Sequence, residues 1–137
     1  MFRRILVPVD FTKKNLRAVR LAAKLGAPRR AQVTLLHVIE RFDFGDPAAY
    51  AGFYRKLEIG ARQKMRGLLA AAKGVSAKAE IQYGRRVDEI LRTVAEQKID
   101  LVVMSSHRLA LRHPGENWGT ISYKVGILSR CPVLLVK

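Results

Sequence analysis

Cysteine is almost absent from this chain of 137 residues, since Cys131 is the single one. An internal disulfide is therefore excluded, and no metal-ligand spacing surrounds the residue. Because Cys131 adjoins Pro132 and an apolar run, we expect a buried structural thiol rather than a nucleophile. Long apolar runs are missing too, since none approaches the roughly 20 residues that span a bilayer. The sequence thus predicts no membrane-spanning helix.

A secretory signal is also missing from the first residues. The apolar run 5–9 meets Asp10, whereas the hydrophobic region of a signal peptide has roughly 7–15 apolar residues. We therefore interpret residues 1–10 as mature sequence and expect a cytoplasmic protein.

Acidic residues are scarce: 11 Asp and Glu stand against 26 Lys and Arg, for a net charge of +15. Such a charge attracts polyanions nonspecifically and does not define the fold. Lys13, Arg17, Arg20 and Lys24 follow helical spacing and form one stripe. A solvated helix face explains this stripe better than a polyanion-binding face, because no aromatic residues are interleaved with it and no nucleic-acid motif accompanies it.

Catalytic constellations are missing as well. No nucleophile is paired with a base, and no cluster of metal ligands is visible in the sequence. We therefore predict that the protein is not an enzyme, with slow ATP hydrolysis as the alternative.

The pattern that is present alternates short β-branched runs with amphipathic segments. The predicted strands are residues 4–10, 31–39, 77–83, 101–104 and 131–137. The predicted helices are approximately residues 12–25, 50–72, 87–94 and 118–129. Tyr50, Phe53 and Tyr54 are predicted to pack in the core or between helix and sheet.

This alternation predicts an α/β fold with a parallel sheet and helices on both faces. The third strand alternates apolar and polar residues, as an edge strand does. The length fits a single domain, residues 1–137.

Several segments together resemble the universal stress protein family. The matching pieces keep their order over nearly the whole chain: Ile5-Leu-Val-Pro-Val-Asp10-Phe-Thr12, Leu35-Leu-His-Val-Ile39, Asp100-Leu-Val-Val-Met104-Ser-Ser-His107, and Gly119-Thr120 with Cys131-Pro-Val-Leu-Leu-Val136. The resemblance implies a Rossmann-like, five-stranded parallel sheet in the order 3-2-1-4-5. It also implies a stress-response or regulatory role and a homodimer formed through the last strand.

Nucleotide-binding members of that family carry Gly-x-x-Gly, nine residues, then Gly-Ser or Gly-Thr. Glycine lets the backbone come close to phosphate oxygens. Here Ser105 and Arg108 replace the first two glycines, and ten residues separate Arg108 from Gly119, one more than in the motif. Only Gly119-Thr120 is retained. We therefore expect ATP or another adenine nucleotide, with Mg²⁺, to bind weakly at most.

The ligand crevice of such a sheet lies where the strand order reverses, here between the first and fourth strands. Asp10 and Ser105 would face it. By resemblance, Asp10 contacts the adenosine and the Val38 main chain meets the adenine; the alternative for Asp10 is a cap on the helix beginning near Thr12. The implied nucleotide contacts are Pro8, Val9, Asp10, Val38, Met104, Ser105, His107, Arg108, Gly119, Thr120 and Ile121.

Three functional hypotheses remain open. The first is a universal stress protein-like regulatory module that binds an adenine nucleotide weakly. The second is a slow ATP hydrolase with Mg²⁺ held through the phosphates and Asp10 or Thr120. The third is a basic interaction module with no small ligand. For His37, a packed and hydrogen-bonded side chain is favoured over a ligand contact.

Overall fold

The structure, a computed structural model, describes residues 1–41, 45–106 and 120–137. Strands and helices alternate along the chain, with two short 3-10 turns at Ala27–Arg29 and Pro47–Tyr50. The strands are β1 (Arg4–Pro8), β2 (Gln32–Ile39), β3 (Ser76–Tyr83), β4 (Leu101–Ser105) and β5 (Val133–Val136). The helices are α1 (Lys14–Gly26), α2 (Ala51–Ala71), α3 (Arg86–Glu96) and α4 (Ile121–Leu128).

The five strands form one parallel sheet in the order β3-β2-β1-β4-β5. The predicted fold class, strand order and edge position of β3 are thereby confirmed. β1 lies at the centre because Ile5, Leu6 and Val7 are apolar in succession and fully buried, as a strand covered on both faces requires. Ile5 is paired with Val33 of β2 and with Leu101 of β4.

Two apolar clusters cover the two faces of the sheet. Successive strand residues point to opposite faces, so Ile5 and Val7 join α1 and α2 on one side, while Leu6 joins α3 and α4 on the other. Val38, Met104 and Ile121 belong to this second cluster. The second cluster therefore adjoins the carboxyl ends of β2 and β4.

Several predicted boundaries were wrong by two or more residues. The first strand ends at Pro8 and α1 begins only at Lys14, because the residues between them form a tight turn. The last strand begins at Val133, after the proline. Cys131 is half-buried rather than buried, with its Sγ 3.5 Å from Ser129 Oγ.

The amino-terminal half of α2 is more exposed than the sequence pattern predicted. Phe53 is 49% exposed and Leu57 43% exposed, so the core assignment of Phe53 was wrong. The buried residues of the helix are Ala61 and Met65. Twenty-one helical residues extend about 31 Å, whereas the eight residues of β3 extend about 26 Å. A helix longer than the strand beneath it leaves one end uncovered.

The basic stripe of α1 is a surface feature, since Lys13, Arg17, Arg20 and Lys24 are all exposed. Among the described helices, none is both long and apolar enough to cross a membrane.

Candidate functional site

The predicted site residues converge at the carboxyl ends of β1, β2 and β4. β1 and β4 are hydrogen-bonded neighbours, and the order of the sheet reverses between them. Pro8 ends β1, Val38 lies near the end of β2, and Met104 and Ser105 end β4. His107, Arg108 and Gly119 lie outside the described residues. Val9 is an exception: its side chain packs with the cluster on the opposite face, and its N–H and C=O are bonded to the Leu36 carbonyl and to His37 Nδ1 of β2.

Asp10 stabilises a turn and does not cap α1. Its Oδ1 accepts hydrogen bonds from the Thr12 N–H (3.0 Å) and the Thr12 hydroxyl (2.8 Å). A carboxylate that accepts hydrogen bonds from the residue two positions along the chain forms an Asx turn. α1 begins two residues after Thr12. Burial raises the pKa of Asp10, but these hydrogen bonds outweigh it and hold the pKa below its ordinary value. The carboxylate is therefore ionised at neutral pH and partly engaged by the turn.

The buried side chain of Asn15 stabilises the same turn, and our sequence analysis missed this residue. The side chain is 1% exposed. Its Oδ1 accepts from the main-chain N–H groups of Asp10 (2.9 Å) and Phe11 (2.7 Å). Its Nδ2 donates to Ser105 Oγ at 3.2 Å. One amide thus links the end of β1 to the end of β4 across the crevice.

Phe11 adopts a left-handed backbone conformation, with φ of 66°. A residue with a Cβ reaches this region at a cost of about 1–2 kcal/mol. The Asn15 bond to the Phe11 N–H offsets part of that cost. Such strained residues persist where the surroundings fix them, so the turn has a defined geometry beside the crevice.

Val38 directs its main-chain groups into the crevice. The Leu36 carbonyl accepts from the Val9 N–H at 2.8 Å, towards β1, and the Ile39 carbonyl accepts from the Gly84 N–H at 3.1 Å, towards β3. Main-chain groups of successive strand residues point to alternate sides. The N–H and C=O of Val38 therefore point to the β1 side, one step beyond the last bond between β1 and β2.

His37 marks the point where β1 separates from β2. Its Nδ1 lies 2.9 Å from the Val9 carbonyl. A carbonyl only accepts, so Nδ1 carries the proton. The imidazole ring also packs on Phe11, with ring centroids 4.3 Å apart, and both line a cavity of about 420 Å³ with Val38. The expected packed and hydrogen-bonded role of His37 is confirmed.

Burial lowers the pKa of His37, and the charges of Arg86 and Lys64 lower it further against the opposing effects of Val9 and Asp10. The folded protein therefore holds this proton less tightly than the unfolded chain, whose ordinary value is 6.5. The free energy of unfolding therefore falls as the pH drops below about 6.5, because the unfolded state takes up the proton first.

We predict that substituting His37→Asn, which keeps an N–H donor but does not titrate, reduces this pH dependence. Urea unfolding at pH 7.5 and pH 5.5 measures it. The wild-type protein should lose more stability than the variant between the two pH values. An equal loss in both proteins would show that other groups cause the dependence.

Thr120 and Ile121 lie at the start of α4. The Thr120 Oγ1 accepts from the Tyr123 N–H at 3.4 Å and caps the helix, while Ile121 packs against the cluster that contains Val38 and Met104.

A cavity of about 820 Å³ lies further along, between α4 and the turn after β3. None of the predicted site residues in the described ranges lines that cavity. In the same ranges, no group of three or more His, Cys, Asp or Glu side chains could hold a metal ion.

Comparison with known proteins agrees with this geometry. The model of the universal stress protein family matches residues 1–137 of this chain. The chain belongs to the universal stress protein family. A curated relative, the universal stress protein YxiE of Bacillus subtilis, is 29% identical over 150 aligned positions that cover 100% of both chains. The resemblance drawn from the sequence segments is thereby confirmed.

Solved universal stress proteins share the fold. One from Archaeoglobus fulgidus, in complex with dAMP, superposes with a TM-score of 0.75 at 17% identity and covers 99% of this chain and 98% of its own. Another, in complex with cAMP, gives 0.73 at 22% identity with 99% and 97% coverage. At these identities the likeness concerns the fold alone.

Proposed function

We propose that this universal stress protein binds an adenine nucleotide weakly in the crevice at the ends of β1 and β4 and acts as a regulatory binding module. The observation that carries the proposal is the direction of the Val38 main chain. Adenine presents an amino donor beside a ring-nitrogen acceptor. The N–H and C=O of one strand residue, directed past the end of β1, match that pair.

The apolar surroundings fit the same ligand. Val38, Met104 and Ile121 meet in one cluster, so the base would lie against aliphatic side chains, as bases and cofactors commonly do. The Asp10 carboxylate, held at the turn after β1, is an acceptor for ribose hydroxyls. The solved relatives with dAMP and cAMP support an adenine nucleotide as the ligand class. Mg²⁺ would accompany a triphosphate, and the cytoplasmic location stays a prediction.

The altered phosphate motif makes the proposed binding weak. We expect the side chains of Ser105 and Arg108 to restrict the backbone at two positions where nucleotide-binding members of the family carry glycine. We predict a dissociation constant for ATP above roughly 10 μM, less than about 7 kcal/mol of binding free energy. Restoring Ser105→Gly and Arg108→Gly, with one residue deleted between Arg108 and Gly119, should tighten ATP binding at least about tenfold. Calorimetric titration with ATP and Mg²⁺ measures both values.

A matched control removes the same residue types elsewhere, with Ser76→Gly and Arg29→Gly, both exposed. ATP affinity should not change in that control. Weaker binding in the restored variant would identify Arg108 as a phosphate ligand instead. Sustained phosphate release over hours would indicate that the protein is a slow ATP hydrolase rather than a binding module. Absence of ATP binding in every form would favour the interaction module without a small ligand.

The exposed edge of β5 supports a homodimer. β5 is the last strand of the sheet, and Leu134 and Leu135 are each 37% exposed. Unpaired strand edges with apolar side chains readily pair with another chain. We therefore propose an antiparallel dimer across β5, related by a two-fold axis.

A further inference from the structure

The outer edge of β5 carries main-chain groups that pair with no other strand of the described chain. On the β4 side, the Pro132 carbonyl accepts a hydrogen bond from the Val102 N–H at 3.0 Å. Main-chain groups of successive residues point to alternate sides of a strand. The N–H and C=O groups of Val133 and Leu135 therefore point away from β4, and β5 is the last strand of the sheet. This edge can accept one more strand.

A groove of about 700 Å³ lies beside this edge, between β5 and α1. Leu134 points to the α1 side of the sheet, because Val136, two residues further on, packs in the cluster on that side. Leu134 and Leu21 give the groove an apolar surface. Arg17 Nη1 donates to the Lys137 main-chain oxygen at 3.1 Å. This hydrogen bond holds the end of β5 against α1, so the groove has a defined shape.

The charged side chains that line this groove are all basic. They are Arg17, Arg20, Lys24 and Lys137, and all four are exposed. None of the ion pairs formed within residues 1–41, 45–106 and 120–137 involves them. The three cations of α1 span about 10 Å of helix, and the four residues of β5 extend about 13 Å. The row of cations is therefore nearly as long as the strand that it accompanies.

The opposite side of β5 is apolar. Leu135 points to the α4 side, as Val133 does, and Leu135 is 37% exposed. A strand added at this edge would direct alternate side chains to the two faces of the sheet. One set would lie beside the cations of the groove, and the other set would lie beside Leu135.

We propose that an extended segment of a partner protein, in which acidic and apolar residues alternate, adds to the edge of β5 as a further strand. Its main chain bonds with the outward groups of Val133 and Leu135. Its acidic side chains pair with the cations of the groove, and its apolar side chains pack beside Leu135. The main-chain bonds supply affinity, while the alternation of charge and apolar surface supplies specificity.

A second copy of this chain uses the same main-chain groups but matches the groove less well. Each copy brings its own basic row, and residues 117–137 contain no Asp or Glu. Like charges brought into one interface oppose association, whereas opposite charges favour it. The partner strand and the proposed homodimer need the same edge, so binding of the strand separates the dimer. This separation rests on the proposed dimer, whereas the binding of the strand does not.

The test titrates the full chain at low salt with a short synthetic peptide in which Glu and Val alternate. Calorimetry measures the affinity, and sedimentation should show the mass of one chain with one peptide. The double variant Arg20→Gln and Lys24→Gln should weaken peptide binding at least about fivefold, because two ionic contacts are lost. The matched control, Arg66→Gln and Lys98→Gln, removes the same charge from exposed positions outside the groove. Its affinity should stay within about twofold of the wild-type value.

Two N-methylated forms of the peptide test the strand pairing itself. One form carries its methyl groups on the Glu nitrogens and the other on the Val nitrogens. The N–H groups of alternate residues point to opposite edges of a strand, so one form should lose binding and the other should retain it. Equal affinities of the two forms would overturn the inference. Equal weakening in the groove variant and in its control would also overturn it, because net charge alone would then explain the binding.

The outcome for this inference is separable from the outcome for the dimer. A wild-type chain that sediments as a monomer and binds the peptide would sustain the inference and contradict the dimer. A wild-type dimer that does not bind the peptide, or binds it without separating, would overturn the inference and leave the dimer in place. If duplex DNA binds at the groove and the peptide does not, the groove attracts polyanions without pairing a strand, and the inference fails.

Discussion

Substituting Asn15→Ala should lower the free energy of unfolding by about 2–4 kcal/mol. The amide oxygen accepts from two main-chain N–H groups, and each buried donor left without a partner costs about 1–3 kcal/mol. The left-handed Phe11 would also lose the bond that holds its backbone. Urea unfolding of the two proteins at neutral pH measures the difference.

A buried threonine provides the control for this prediction. Thr93 is 4% exposed, and its hydroxyl donates to the Glu89 carbonyl within α3 at 2.8 Å. Thr93→Ala removes one side-chain hydrogen bond and leaves the main-chain hydrogen bonds of α3 in place. It should therefore lower the free energy of unfolding by about 1 kcal/mol. If Asn15→Ala costs no more than Thr93→Ala, the amide does not hold the turn.

Substituting Leu134→Lys should convert a dimer into monomers. The proposed pairing of β5 with a second copy predicts a wild-type mass in sedimentation of twice the chain mass of 15.4 kDa. A charge on each edge strand opposes that pairing, and the two-fold axis places both new charges in one interface.

The control for the dimer is Leu57→Lys, which adds the same charge at an exposed leucine of α2, 43% accessible to solvent. This variant should retain the mass of the wild-type protein. A wild-type protein that sediments as a monomer at high micromolar concentration would contradict the proposed dimer. So would a Leu134→Lys variant that keeps the dimer mass.

The sheet was predictable because its signals are local. Each strand is a short apolar or alternating run, and the order of the strands followed from the family resemblance. The exposure of Phe53 was not predictable in the same way. Helical spacing places Phe53 on the apolar face of α2, but its burial depends on how far α2 extends past the strands, which is a tertiary property.

The site was only partly predictable, and Asn15 shows why. The buried residues of α1 follow helical spacing from Asn15 through Ala18, Val19 and Ala22, so a polar residue occupies the core-facing stripe. That mismatch was the available signal, since a buried amide needs hydrogen-bond partners. Our sequence analysis did not single out Asn15 and so missed it. The partners themselves, at Asp10 and Ser105, become visible only in three dimensions.

The central claim is that an adenine nucleotide binds at the ends of β1, β2 and β4. The most direct measurement is a ¹H–¹⁵N NMR titration of the protein with ATP and Mg²⁺. The predicted result is a saturable shift of the amide signals of Val9, Asp10, Val38, Ser105 and Ile121. The claim is contradicted if these signals stay unchanged at saturating ATP, or if the shifts fall instead on the exposed α1 stripe at Arg17, Arg20 and Lys24.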